Sequence, residues 1–299
     1  MPLTWVQKNS GLVSLNIRDF DVIGDNLFVS TWDSGVFRSI DDGDTWVPVN
    51  NGLTCLDIYA LTPKGTRLFA GSGGQGVFVS DDLGDSWSQS NTGLHTLYPN
   101  IFCMRSDDLF TGTWGGGVYR STDNGASWFP VNNGLTNHSI FAMTSIGNRV
   151  LAGSCVVVDP DNPTDGKGDN GGIFISEDDG QTWRQSNQGL DDWNVQILLT
   201  RGNDVIAGTC GGFFISHDSG DTWAEINDGF SVYHLTLAFC ADRIFAAAWL
   251  GGNFTLHDGS TTWINESDGL SDSKVFALFV KGSNLFAGTY SGGVFRACL

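Results

Sequence analysis

Asp57, His234 and Lys274 stand at matching places in separate segments of this 299-residue chain, each just before an apolar residue (Ile58, Leu235, Val275). Arg18 follows the corresponding Ile17 in a fourth segment. A carboxylate and an imidazole can exchange a proton as acid and base, which suits lyase or isomerase chemistry, and a lysine amine can act as a nucleophile. Paired with Asp19 or Asp33, Asp57 would also offer the two carboxyl groups that glycosidic-bond cleavage uses, about 5 Å or 6.5–9.5 Å apart according to mechanism. Asp57, His234, Lys274 and Arg18 are therefore the candidate catalytic residues.

A second set of positions suits binding. Aligned segment by segment, one loop position reads Trp32, Gly73, Trp114, Cys155, Cys210, Trp249 and Tyr290. Bulky rings where other copies carry Gly or Cys point to stacking on a sugar face or another flat ligand, or to packing between segments. The position before the apolar residue reads Asn16, Asp57, Asn100, Ser139, Asn194, His234 and Lys274, all polar. The position after it reads Arg18, Tyr59, Phe102, Phe141, Gln196, Thr236 and Phe276. Trp32, Trp114, Trp249 and Tyr290 are the expected platforms, with Asn16, Asn100 and Asn194 as hydrogen-bonding partners. The alternative for the polar residues is that they do no more than hydrate a channel.

These matches exist because the chain repeats. Trp5, Trp46, Trp87, Trp128, Trp183, Trp223 and Trp263 each follow Thr or Ser, at intervals of 41, 41, 41, 55, 40 and 40 residues, and the remainder at the two ends together makes another 41. A period near 40 with four short strands per copy marks a β-propeller blade, whose sheet faces are buried only by neighbouring blades. In the second copy Ile58–Leu61 reads as strand A, Leu68–Gly71 as B, Val77–Ser80 as C, and Asp85-Ser86-Trp87 as the start of D. Gly73-Gly74-Gln75-Gly76 turns from B to C, and pairs such as Asn51-Gly52 follow D. The expected fold is all-β: a single domain over residues 1–299, a seven-bladed β-propeller of four-stranded antiparallel blades closed by pairing of its N- and C-terminal segments. Strand A would be innermost, so its polar flanks and the loop aromatics would converge on a central mouth.

The turn before each Trp carries a motif: Ser39-Ile-Asp41-Asp-Gly43-Asp-Thr45-Trp46, with counterparts opening at Ser80, Ser121, Ser176 and Ser216. A degenerate copy, Leu256-His-Asp258-Gly-Ser260-Thr-Thr262-Trp263, lacks the leading Ser and the Gly. These turns resemble Asp-boxes, also called BNR repeats, found in the propellers of sialidases, xyloglucanases, sortilin-like receptors and photosystem assembly factors. The resemblance implies the propeller fold, with the boxes on the rim away from the functional face, and leaves activity open. In the turn itself the Asp would accept backbone N–H groups, Gly would take a left-handed conformation, and Trp would pack beneath the hairpin. Calcium loops need more oxygen ligands than these turns supply.

The formal charge is -18, and 13 of the 33 acidic residues sit in the six visible box turns, which argues against a nucleic-acid partner. No apolar stretch reaches membrane-spanning length, and Met1-Pro-Leu-Thr-Trp5 enters the repeat at once. Compartment is left open, with a secreted or periplasmic protein whose leader has been removed compatible with the sequence; a monomer is expected. Six cysteines lack metal-ligand spacing, so no metal or cofactor is expected; Cys155 and Cys210, at one position of adjacent repeats, could approach each other. Residues 156–170 form an Asp/Asn/Pro/Gly-rich insertion in one B-to-C connection, either a rim to the mouth or a tolerated loop.

A sialidase-like mechanism would need several arginines where only Arg18 fits, and the xyloglucanase-type arrangement uses two propellers. The reading favoured is binding of a small molecule or glycan at the central mouth of the B-to-C face. Alternatives are an enzyme of glycoside hydrolase, lyase or isomerase type using the Asp/His/Lys cluster, and a protein-interaction scaffold.

Overall fold

The computed structural model describes residues 3–155, 171–226, 235–248, 251–257, 260 and 262–299. It is all-β, seven blades of four antiparallel strands arranged as a β-propeller. Blade 1 comprises Ile17–Ile23, Asn26–Thr31, Val36–Ser39 and Val47–Pro48, strands A to D in order. Blades 2 to 6 repeat it, with A strands at Ile58–Lys64, Pro99–Arg105, Ile140–Ile146, Val195–Arg201 and Leu235–Cys240. In blade 7, strands Val275–Lys281, Asn284–Thr289 and Val294–Cys298 are completed by Val6–Gln7 from the other end of the chain, with Val6 opposite Arg296 and Gln7 opposite Phe295.

Two compact units are distinguished: Met1–Ser90 with Leu235–Leu299, holding blades 1, 2, 6 and 7, and Asn91–His234, holding blades 3, 4 and 5. In both, burial follows strand position. Strand B is buried on both faces after its first residue, strand A is half-buried, and the two-residue strand D is exposed. After its first residue strand B accordingly carries apolar residues and small Gly, Ser or Thr, and the outer edge is too short to template pairing with another chain. The cores lie between blades: Phe28, Val36 and Val49 of blade 1 pack with Ile58, Leu68, Phe78 and Trp87 of blade 2. In the second unit, Leu151 and Ile175 of blade 4 pack with Val205 and Phe214 of blade 5.

The repeated Trp joins blades. Trp87 Nε1–H donates to Val49 O (2.7 Å), Trp46 to Lys8 O (2.9 Å), Trp183 to Val131 O (2.7 Å) and Trp223 to Ser186 O (3.0 Å), each carbonyl lying just past strand D of the preceding blade. Strand D of blade 2 begins at Ser88, after Trp87, so the expectation that Asp85-Ser86-Trp87 opens it is corrected: that Trp belongs to the turn and faces the neighbour. The glycine of Asn51-Gly52 is required here, with φ +92° and a hypothetical Cβ 2.2 Å from Trp87 O.

Within the turn, Ser39 Oγ–H donates to Asp41 Oδ1 (2.7 Å) while its oxygen accepts Gly43 N–H (2.8 Å). Asp41 accepts Thr45 N–H (2.8 Å) and Thr45 Oγ1–H (2.6 Å), and these bonds, the hydroxyl's first, hold its carboxyl down to about 2. The turns at Ser80, Ser121, Ser176 and Ser216 repeat the pattern. Besides the glycine, the residue before it is left-handed, as at Asp42 (φ 55°) and Leu83 (φ 61°). Asp258 and the insertion 156–170 lie outside the described residues.

Candidate functional site

The loop and strand-A positions aligned in the sequence are joined by backbone hydrogen bonds. Trp32 N–H donates to Asn16 O, Gly73 to Asp57, Cys155 to Ser139, Cys210 to Asn194 and Tyr290 to Lys274, at 2.9–3.1 Å. In blade 3 the corresponding bond runs from Trp114 to Tyr98, and the strand begins with Pro99 opposite Thr113. The sequence alignment was one residue late there. Tyr98, not Asn100, matches Asn16 and Asp57, Asn100 matches Arg18, and Phe102 is a buried core residue.

The position of Arg18 is a β-bulge. Ladder register shifts between Ile17 and Asp19, and likewise around Tyr59, Asn100, Phe141, Gln196 and Phe276. Blade 6 has no such shift, and Thr236 pairs with Ala247. A bulge leaves one residue out of the ladder and re-aims its side chain. The sequence aligns Arg18, Tyr59, Phe141, Gln196 and Phe276, with Phe102 in place of Asn100, but carries no signal for the bulge itself, because the extra residue appears only against the partner strand.

In the first unit the bulge residues meet the loop aromatics. The Arg18 guanidinium carbon lies 3.8 Å from the centroid of the Trp32 ring and 4.3 Å from that of the Phe276 ring, a cation against two aromatic rings. Trp32 meets Tyr59 edge-on (5.8 Å between centroids), Phe276 meets Tyr290 (6.0 Å), and Lys274 Nζ lies 5.1 Å from the Tyr290 centroid. Trp32 and Tyr290 remain 43% and 42% exposed. Tyr59 hydrogen-bonds to Asp57, and Arg18 and Asp33 act on Asp57 electrostatically. Burial pushes the Asp57 carboxyl above its ordinary value against the Tyr59 bond and the Arg18 charge, and with Asp57 pushes the Tyr59 phenol to about 12. Burial lowers Arg18 to about 10, opposed by Asp57. Asn16 Oδ1, Arg18 Nε and Asp57 Oδ1 are buried without a hydrogen-bond partner in the protein.

Of the proposed catalytic residues, this unit thus gathers Arg18, Asp57 and Lys274 with Tyr59 and Asp33; His234 lies outside the described residues, as does the platform Trp249. Asp19 turns elsewhere, accepting Leu61 N–H (2.8 Å) and Phe20 N–H (2.9 Å). Phe276 and Tyr59 stand in the alignment, yet the contact of one with Arg18 and the bond of the other to Asp57 follow only from the packing.

The second unit holds a different set. Trp114, 44% exposed, meets Tyr98 at 6.5 Å and Phe141 at 6.2 Å. Asn100 Nδ2–H donates to Ile140 O (3.3 Å), and Asn194 is buried with its Oδ1 3.7 Å from Cys155 Sγ. No disulfide joins Cys155 and Cys210, and Gln196 Nε2 lies 3.0 Å from the first sulfur and 3.8 Å from the second.

The class defined by this architecture is the seven-bladed β-propeller, and solved structures agree. The chain is similar to the extracellular domain of the putative one component system BT4673 from B. thetaiotaomicron (TM-score 0.77, 16% identity, 99% of this chain and 40% of that one). It is similar to YCF48 bound to D1 peptide (TM-score 0.75, 17% identity, 100% and 96% covered). It also resembles a xyloglucanase of glycoside hydrolase type GH74 from Xanthomonas campestris (TM-score 0.67, 16% identity, 100% and 44% covered). The chain spans about two fifths of the first of these and less than half of the third. At these identities the likeness is one of fold. No family model matches the chain, and no curated protein matches it in sequence. No helix of the described residues is long and apolar enough to cross a membrane.

Proposed function

We propose that the B-to-C face of the first unit binds a saccharide or a similar polar, ring-bearing small molecule. The observation that carries this reading is an aromatic cluster around a cation: the Arg18 guanidinium lies against the Trp32 and Phe276 rings, the Trp32 and Tyr290 rings are exposed, and Asn16 and Asp57 stand beside them just ahead of strand A. Exposed rings suit the apolar face of a sugar, and fixed donors and acceptors beside them suit its hydroxyls. The repeated Ser/Asp/Thr turn bonds support grouping the chain with Asp-box propellers, among which the similar xyloglucanase acts on a polysaccharide. A glycan array followed by titration of the best hit against Trp32→Ala tests the reading; binding that survives this change undiminished rejects the platform.

A second reading is catalytic and rests on Asp57, whose carboxyl is raised by burial and bonded by Tyr59, with Arg18 and Asp33 acting on it. Such a carboxyl can serve as a general acid. Turnover of a bound glycan that disappears in Asp57→Asn, while binding persists, would establish it.

A further inference from the structure

We infer that Cys155 and Cys210, on neighbouring blades of the second unit, form a two-thiol site for a soft monovalent metal ion of the copper(I) class. The site uses none of the residues of the saccharide reading. The fold itself brings the two sulfurs together. A loop residue of one blade meets the bulge residue of the next: Trp32 meets Tyr59 (5.8 Å), Trp114 meets Phe141 (6.2 Å), and Cys155 of blade 4 meets Gln196 of blade 5, its sulfur 3.0 Å from Nε2. The same nitrogen lies 3.8 Å from Sγ of Cys210, on its own blade. One atom thus reaches both sulfurs, and they stand no farther apart than those two distances laid end to end. Metal–thiolate bonds of about 2.3 Å set two sulfurs on a linear ion about 4.6 Å apart, inside that limit. Cys155 N–H donates to Ser139 O and Cys210 N–H to Asn194 O, both at 3.1 Å, which fixes the two loops on their strands. Both cysteines are partly exposed, which leaves a way in from solvent.

The donor set selects the ion. Structural zinc takes four ligands, and among the described residues no three His, Cys, Asp or Glu side chains stand close enough to hold an ion together. Two sulfurs with amide groups beside them, Gln196 and Asn194 (Oδ1 3.7 Å from Cys155 Sγ), suit a soft ion that needs only two strong ligands, and thiolates favour copper(I). Asp192 acts electrostatically on both sulfurs and adds attraction for a cation, as does the -18 of the chain. On binding, the ion replaces the two thiol protons, which pass to solvent, and the Gln196 amide swings aside. A monovalent ion then leaves the pair with one negative charge.

The test is a competition for copper(I) under reducing, oxygen-free conditions, with the bis-bicinchoninate copper(I) complex as the probe and its colour as the readout. The full chain should withdraw one equivalent of copper. Cys155→Ser and Cys210→Ser should each withdraw it at least tenfold more weakly, while the double variant Cys55→Ser, Cys298→Ser withdraws it as wild type does. X-ray absorption of the wild-type copper complex should show two sulfur neighbours and no third ligand, a readout that stands if either single variant unfolds. No withdrawal by wild type, withdrawal undiminished in Cys155→Ser or Cys210→Ser, or copper bound by other than two sulfurs overturns the inference.

Discussion

The Asp57 carboxylate occupies space that any side chain at position 73 would claim: a Cβ built on Gly73 lies 2.3 Å from Asp57 Oδ2 and 3.3 Å from Tyr59 Cε2. Blades 1, 3 and 7 place Trp32, Trp114 and Tyr290 at this position, so blade 2 exchanges a ring for an acid. Gly73 has no positive φ to protect, and alanine there is a steric change at the site alone. Gly73→Ala should displace Asp57, cost less than about 1 kcal/mol of stability, and lower affinity for the best glycan about tenfold. Calorimetry beside thermal melting checks both halves.

The Trp87 bond to Val49 O predicts the opposite division. Both groups are buried, and removing the indole N–H strands a carbonyl between blades 1 and 2. Trp87→Phe should destabilise the fold by about 2–4 kcal/mol, from the lost hydrogen bond and the smaller ring, and leave glycan affinity unchanged. Chemical denaturation followed by circular dichroism measures it.

Ser80 offers a cleaner probe of the turn. Its Oγ accepts Gly84 N–H (2.7 Å) and donates to Asp82 Oδ1 (2.8 Å), and the residue is buried. Ser80→Ala should cost about 1–2 kcal/mol by leaving the Gly84 amide without a partner, whereas Ser80→Thr should recover part of it if the extra methyl is accommodated. Equal stability in wild type and Ser80→Ala would show that water replaces the hydroxyl.

Much of this was legible because repetition turns one chain into an alignment of itself. The Trp interval and the Gly-bearing turns led to seven blades, and short strands between turn residues, such as Leu68–Gly71, marked the strands within them. The site was legible in its ingredients only. Arg18, Asp57 and Trp32 could be placed within their repeats, but the Phe276 ring of blade 7 against the Arg18 guanidinium is a contact between segments some 258 residues apart, and no local pattern encodes it. The one-residue error at Asn100 has a physical source: Pro99 takes the place of the β-branched residue that opens strand A in blades 1, 2, 4, 5 and 7, so the apolar cue moved to Ile101.

Asp19 makes stability depend on pH in an unusual direction. Burial raises its carboxyl to about 7 in the folded chain, although Leu61 and Phe20 donate their amides to it, and neighbouring Asp21 is raised by burial and by Asp19. An unfolded Asp releases its proton near the ordinary side-chain value of 3.8. Between these values the native state holds a proton that the unfolded state has lost, so native stability falls as pH rises from about 4 to about 7 and this contribution then levels off. The turn carboxylates such as Asp41 behave oppositely, losing their contribution only as pH falls toward about 2, and so do not mask the effect above pH 5. Asp19→Asn keeps an acceptor for one amide and has nothing to titrate. Relative to wild type it should therefore gain about 1–3 kcal/mol at pH 8 compared with pH 5, seen as a smaller loss of Tm between the two. If both proteins lose the same Tm over that interval, the Asp19 carboxyl is ionised in the native state at pH 5.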